Sequence, residues 1–363
     1  MSMTVRERLI TALSAREPDR TPVTLYGVFP HNPDDWRWSR PSYRPLLEFA
    51  HKHTDPFCRW EPSVPAFYAA APAHSRVLGD GAFIEHTLET PRGPITTITN
   101  NTPATQWTEK YYCESDEDVE RFLSISFEPT RPDLTKALEL ERSIGEDALL
   151  TISFLDPIAL VGDLFGPEEF AIRCATDRHT LKKMMDMVFE NVYDFLRYLL
   201  DHGPAAQYII GGAEYATAPL LAPRYFDEFV VPYESRMIDL IRSRGSWATI
   251  HCHGRLNGVL ERIAGMGPHA LHPVEAPPMG DVSLTEVKRR VGERICLIGN
   301  IQIGDVIGAT EEEIDQTVRL ALRDGAAGGG FILSVTASPY EEELSPRALR
   351  NYQRIVETAR QYQ

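Results

Sequence analysis

The chain has 363 residues, is 43% hydrophobic and carries a formal net charge of −15. Such acidity repels phosphate backbones and excludes a nucleic-acid partner, and no run of about 18 apolar residues predicts a membrane span. The first twenty residues scatter their charges and lack the apolar centre of a secretory signal, and five widely spaced cysteines (Cys58, Cys113, Cys174, Cys252, Cys296) without a CxxC pair fit a reducing cytoplasm.

Residues 4–16 read as an amphipathic first helix, and after Pro18 and Pro22 the segment Val23-Thr24-Leu25-Tyr26-Gly27 reads as a first strand. Residues 29–44, rich in Pro, Trp and Asp, read as a long ordered loop, and residues 45–52 as a helix. Residues 82–110 are Thr-rich, alternating and punctuated by turns, which predicts an inserted β-hairpin or small antiparallel sheet. A helix over about 116–124 follows, with Ser115 as its N-cap.

From about residue 130 the rhythm becomes regular. Helix 132–144 leads to strand 149–154, and helices 167–175 and 178–202 lead to strand 207–212. Helix 223–243 leads to strand 247–251, and helix 256–266 to strand 270–274. Helix 283–291 leads to strand 295–300, helix 311–323 to strand 330–335, and helix 345–361 closes the chain. Strands alternating with helices imply parallel βαβ units. The expectation is one (β/α)8 barrel spanning residues 1–363, with an open doubly wound sheet as the alternative.

In such a barrel the active site lies at the C-terminal ends of the strands. The polar residues expected there are Asp156, Glu214, His251, His253, Glu275, Asn300 and Thr336 or Ser338. The sharpest feature is His251-Cys252-His253-Gly254. Alternation along a strand would put both imidazoles on one face and turn Cys252 away, so His251 and His253 could share a metal ion, with Glu275 or Glu214 completing the set. Glu214 and Glu275 are also candidates for acid–base work at a partly buried mouth. Tyr215 follows Glu214, and Trp36 with Trp38, Arg40 and Tyr43 reads equally as one wall of the pocket or as an interface loop. The run Gly325–Gly330 follows a helix and opens a strand, the reverse of a phosphate cradle, and reads as a tight αβ turn.

Several stretches carry a family resemblance: REPDRTPV after the first helix, the FGPEEF helix start, GGAEYATAPLLAPRYFDEFVVPYESRMIDLIRSRG, LIGNIQ and the GGGFIL strand. Together they resemble the uroporphyrinogen decarboxylase superfamily over nearly the whole chain. That resemblance implies a (β/α)8 barrel and one of two chemistries. One is metal-free decarboxylation of a porphyrinogen or other carboxylated small molecule. The other is zinc-dependent methyl transfer involving a corrinoid on a partner protein, or a thiol or pterin acceptor. The decarboxylase branch has an Arg-rich N-terminal stretch and a late Gly-His-Gly, where this chain has LYGVFPHNPDDWRWSR and SVTASPY. The methyltransferase branch has His-x-Cys and a late Cys, where this chain has His251-x-His253 and no cysteine in SVTASPYEEEL.

The leading expectation is therefore a methyltransferase-like enzyme with Zn2+ or another divalent metal on His251, His253 and Glu275. Glu214, Glu275 and Asn300 are its catalytic candidates, and Asp156, Tyr215, Trp36 and Ser338 would contact a small-molecule substrate. A homodimer is the expected assembly.

Overall fold

The computed structural model describes residues 2–79, 81–101 and 106–362. Its centre is a curled sheet of seven parallel strands in sequential order. These are β1 (Phe57–Trp60), β6 (Leu149–Leu155), β7 (Gln207–Gly211), β8 (Trp247–His251), β9 (Ala270–His272), β10 (Cys296–Ile301) and β11 (Phe331–Val335). Helices follow the strands and cover the outside, the longest being Arg178–His202. The strand interiors are almost continuously apolar, as expected for parallel strands covered on both faces.

The expected first strand is reduced to a single bridge. Val23 pairs in parallel with Leu333 of β11, Thr24 N donates to Leu333 O at 2.9 Å, and Asp55 N donates to Val23 O at 2.8 Å. The chain then turns, with Val28 N donating to Leu25 O. Gly27 sits at φ +78, and a Cβ there would lie 2.2 Å from Ser338 Oγ, so the turn brings the backbone too close to the loop after β11 for any side chain. The segment just before β1 contributes a buried anchor. Asp55 accepts from Arg8, from both terminal nitrogens of Arg20 and from Val23 N, which ties the REPDR stretch to the base of the sheet.

The helix Val5–Leu13 is held at its start by a Thr4–Glu7 capping box. Leu9, Ala12 and Leu13 pack on Leu149, Ala270, Cys296, Ile298 and Ile332, mostly from the N-terminal ends of the strands. That end is therefore plugged, and the opposite rim is left for function.

Of the two expected forms, hairpin or small antiparallel sheet, the inserted β element is the sheet, and it begins earlier, at Ala73. It is a four-stranded antiparallel sheet of β2 (Ala73–Leu78), β3 (Phe83–Leu88), β4 (Ile95–Asn101) and β5 (Gln106–Lys110). The part of the expected hairpin at residues 102–105 lies outside the described residues. The expected helix 223–243 is two helices, Pro223–Phe229 and Val231–Ser243. Pro232 has no N–H to donate back, and it disfavours helical backbone just before it. The turn at 325–330 packs as expected, because a Cβ on Gly329 would lie 2.3 Å from the Arg16 backbone. Among the described residues no helix is long and apolar enough to cross a membrane.

Candidate active site

The C-terminal ends of four adjacent strands carry one row of paired residues: Leu155 opposite Gly211, Gly211 opposite His251, and His251 opposite His272. Parallel pairing puts partners on the same face, so this row lines one surface. Gly211 leaves a gap between Leu155 and His251. The gap opens into a cavity of about 520 Å³ lined by Tyr26, Arg59, Glu61, Tyr68, Glu214 and His251, among others. That volume suits a small organic molecule.

His251 and His272 meet through their Nδ1 atoms at 2.8 Å, and His272 Nε2 lies 3.2 Å from Val335 O. Burial, reinforced for His251 by the His272 and His253 charges, drives His251 far below the usual histidine range. Burial likewise brings His272 down to about 3. Both rings are therefore neutral at pH 7. The carbonyl can only accept, so His272 carries its proton on Nε2 and His251 donates from Nδ1. His251 Nε2 is left as a bare lone pair. Tyr26 stacks over both rings, with centroids at 5.4 Å and 4.3 Å.

The strand ends at His251, and His253 stands edge-on to it with ring centroids 4.7 Å apart. His253 Nδ1 lies 3.3 Å from Glu275 Oε2, which also accepts from Gly254 N at 2.8 Å. Burial works to lower His253, but its hydrogen bond with Glu275 and the charges of Glu275 and Glu214 raise it overall. Burial works to raise Glu275, but His253 and the Gly254 amide bring it below the ordinary carboxylate range. The two form a pair at the rim in which each favours the charged form of the other. Cys252 is fully buried and its thiol is pushed well up, first by burial and then by nearby carboxylates, so it stays a neutral packing group.

Glu214 follows Gly212 in the short 3-10 turn Ala213–Ala216. Burial raises its carboxyl above the ordinary range despite the nearby His253 charge. Its Oε2 is buried with no hydrogen-bond partner among the described residues, and Glu214 is one of the residues lining the cavity. Asp156 caps the helix Pro157–Phe165 through the Ala159 amide at 2.9 Å. It is buried, and its carboxyl is pushed up to about 7 by that burial.

The expected substrate contacts separate. Trp36 and Ser338 line a different cavity of about 330 Å³ with Asp35 and Arg37, joined to the first only through Arg59 and Glu61. The Tyr215 hydroxyl donates to Asp163, and its ring fills the space beside Gly162, so Tyr215 is a packing residue rather than a wall of the main cavity. Asn300 lies within β10 opposite Ser334 and is not among the residues lining the main cavity.

The expected metal set is also not assembled. Among the described residues no three His, Cys, Asp or Glu side chains converge on a point that could hold an ion. His251 is turned to His272, and Glu275 is engaged by His253 and Gly254.

Sequence reasoning missed Arg59, Glu61, Tyr26, His272 and Glu234. Arg59 sits on a four-residue strand and forms an ion pair with Glu61. The residues Cys-Arg-Trp-Glu between Pro56 and Pro62 were the available signal for them.

A family model described as uroporphyrinogen decarboxylase (URO-D) matches residues 106–361. The uroporphyrinogen decarboxylase of Synechococcus sp. (strain CC9605) is 29% identical over 147 residues, which is 39% of each chain. That of Pseudoalteromonas translucida (strain TAC 125) is 26% identical over 159 residues, 43% of this chain and 42% of the relative. The chain thus matches about two fifths of the length of these relatives. A solved methyltransferase from Methanosarcina mazei superposes with a TM-score of 0.64 at 17% identity, covering 99% of both chains, which is a likeness of fold.

Proposed function

The chain belongs to the uroporphyrinogen decarboxylase (URO-D) family, and from that premise we propose that it is a carboxy-lyase acting on a small carboxylated molecule by acid–base chemistry. The carrying observation is Glu214: a buried carboxyl with a raised pKa and an unpartnered oxygen, at a cavity that also holds Arg59 and the neutral His251. The seven strands, with the Val23 segment bridging β11, are read as one closed (β/α)8 barrel whose functional rim this is.

Arg59 and the protonated His253 bind the substrate's negative charge. As the bond from carbon to the carboxylate breaks, its electron pair is left on the carbon. The substrate's own electron-accepting framework carries that charge until the proton of Glu214 is transferred to the carbon. Carbon dioxide leaves, and Glu214 is reprotonated from water. The net reaction consumes one proton and releases one carbon dioxide. General acid catalysis of this kind contributes about 10²–10⁴ in rate. The cavity volume favours a compact substrate over a full tetrapyrrole.

The test is carbon dioxide release from a panel of carboxylated pyrroles, small aromatic acids and porphyrinogens. Release that Glu214→Gln abolishes supports the reading, and release undiminished in that variant overturns the role of Glu214.

A second reading, zinc-dependent methyl transfer with a corrinoid on a partner protein, has one observation in its favour. The bare Nε2 of His251 and the His253 ring are neighbours, with Glu275 on His253. Elemental analysis of protein never exposed to chelator decides between them. One zinc per chain, lost in His253→Ala, would replace the lyase reading.

A further inference from the structure

Glu234 lies in the first turn of the helix Val231–Ser243 and is completely buried. Its carboxyl faces that of Asp156 within hydrogen-bonding reach. Yet both Glu234 oxygens and Asp156 Oδ2 lack any N–H or O–H donor among the other described residues. Two ionised carboxylates cannot face each other without water or a cation, because every oxygen is an acceptor and the charges repel. One proton between them turns an acceptor into a donor and halves the charge.

Packing holds the two groups there. Asp156 is fixed by the Ala159 amide, and a Cβ on Gly212 would lie 2.3 Å from Asp156 Oδ1. The charges acting on the pair are acidic: Glu214 on both members, and Asp163, itself bonded by Tyr215, on Asp156. The Cys252 thiol beside them is neutral.

We infer that Asp156 and Glu234 share one proton as a buried acid pair behind Glu214, and that ionisation of the pair is coupled to that of Glu214. Glu234 acts through Asp156 and is a positioning residue. Negative charge on the pair disfavours the Glu214 carboxylate, so the pair helps keep Glu214 in the acid form that the proposed reaction uses. The coupling clause rests on that reading; the shared proton does not.

The experiment is a pH titration by difference infrared spectroscopy of the full-length protein, comparing wild type with Glu234→Gln, Asp156→Asn and Glu214→Gln. The expected result is a protonated-carboxyl C=O band that is present in Glu214→Gln, and so is not that of Glu214 itself, that persists at neutral pH in wild type and that disappears in Glu234→Gln. In Glu214→Gln its loss moves to lower pH by on the order of one pH unit, as removal of a nearby like charge requires. Circular dichroism checks that Glu234→Gln, which can still donate to Asp156, remains folded. The absence of a protonated-carboxyl band in wild type at neutral pH, or its persistence unchanged in both Glu234→Gln and Asp156→Asn, overturns the shared proton. A pair band indifferent to Glu214→Gln overturns the coupling alone. Carbon dioxide release undiminished in Glu214→Gln overturns the catalytic reading of Glu214 and leaves the pair standing.

Discussion

His253 and Glu275 face each other across 3.3 Å, each favouring the other's charged form, and the Gly254 amide also donates to the Glu275 carboxylate. The pair links the residues just after β8 to the loop after β9, two neighbouring places where the polypeptide leaves the sheet for the rim.

The pair gives a pH window. His253 is raised in the folded state, so its contribution is complete below the ordinary histidine value of about 6.5 and fades as pH rises through the folded value. Glu275 is lowered, so its contribution is complete above about 4.3 and fades as pH falls through its folded value. Glu275→Gln removes the partner charge. In that variant the NMR-detected titration of His253 shifts to lower pH, and the alkaline limb of the rate profile moves the same way. An unmoved titration would show that the two side chains do not interact in solution.

The buried histidines carry the reverse sign. His251 and His272 are depressed below the value they have in the unfolded chain, so the unfolded state binds more protons on acidification. Stability should fall as pH drops from about 6.5 towards 3, by about 1.4 kcal/mol per pH unit for each such histidine. Urea denaturation across that range measures the slope. His272→Gln, which can still bond His251 and the Val335 carbonyl, should flatten it while lowering stability near neutrality.

Much of the scaffold was legible from residue 130 onward, because apolar strands alternate with amphipathic helices and each turn carries its Gly, Pro or cap. Strand β1 was not legible. Four residues with Arg59 at their centre make no alternating pattern, and their identity as a strand comes from pairing with Leu149–Ile152, some ninety residues later. The rim was legible as a set of strand ends, and His251, Glu214 and Asp156 fall there. Which of them meet was not, because partners are chosen across the sheet. His272 takes the Nδ1 of His251, which a one-strand alternation argument would have left free for metal. Glu234 was hidden because a carboxylate in the first turn of a helix ordinarily reads as a solvated favourable charge.

The Asp156–Glu234 pair predicts a stability change opposite in sign to that of the buried histidines. Both carboxyls are raised in the folded state, so folding becomes less favourable as pH rises above the unfolded carboxylate values near 4. Glu234→Gln removes one of these titrations. Relative to wild type, that variant should gain stability progressively from about pH 5 to pH 8, by up to about 1.4 kcal/mol per pH unit over the range in which the proton is retained. Thermal melts at a series of pH values check it, and parallel wild-type and variant curves would sink it.

Gly212 offers a backbone test of the same cluster. Its φ of +125 is one that side chains rarely adopt, and a Cβ would fall 2.3 Å from Asp156 Oδ1 and 2.4 Å from the Ala159 Cβ. Both neighbours are buried and Asp156 is engaged with the Ala159 amide, so neither can retreat without breaking the cap of the helix Pro157–Phe165. Gly212→Ala should therefore lower stability by about 1–3 kcal/mol through backbone strain alone, with the collision added. Glu214 is two residues further on, so whatever variant folds should lose activity more than its melting point suggests. Gly254→Ala serves as the control, since its φ is +82 but nothing lies within 4 Å of its Cβ position. It carries the strain without the collision. Equal losses in the two variants would mean that the contact between Gly212 and Asp156 does not constrain the site.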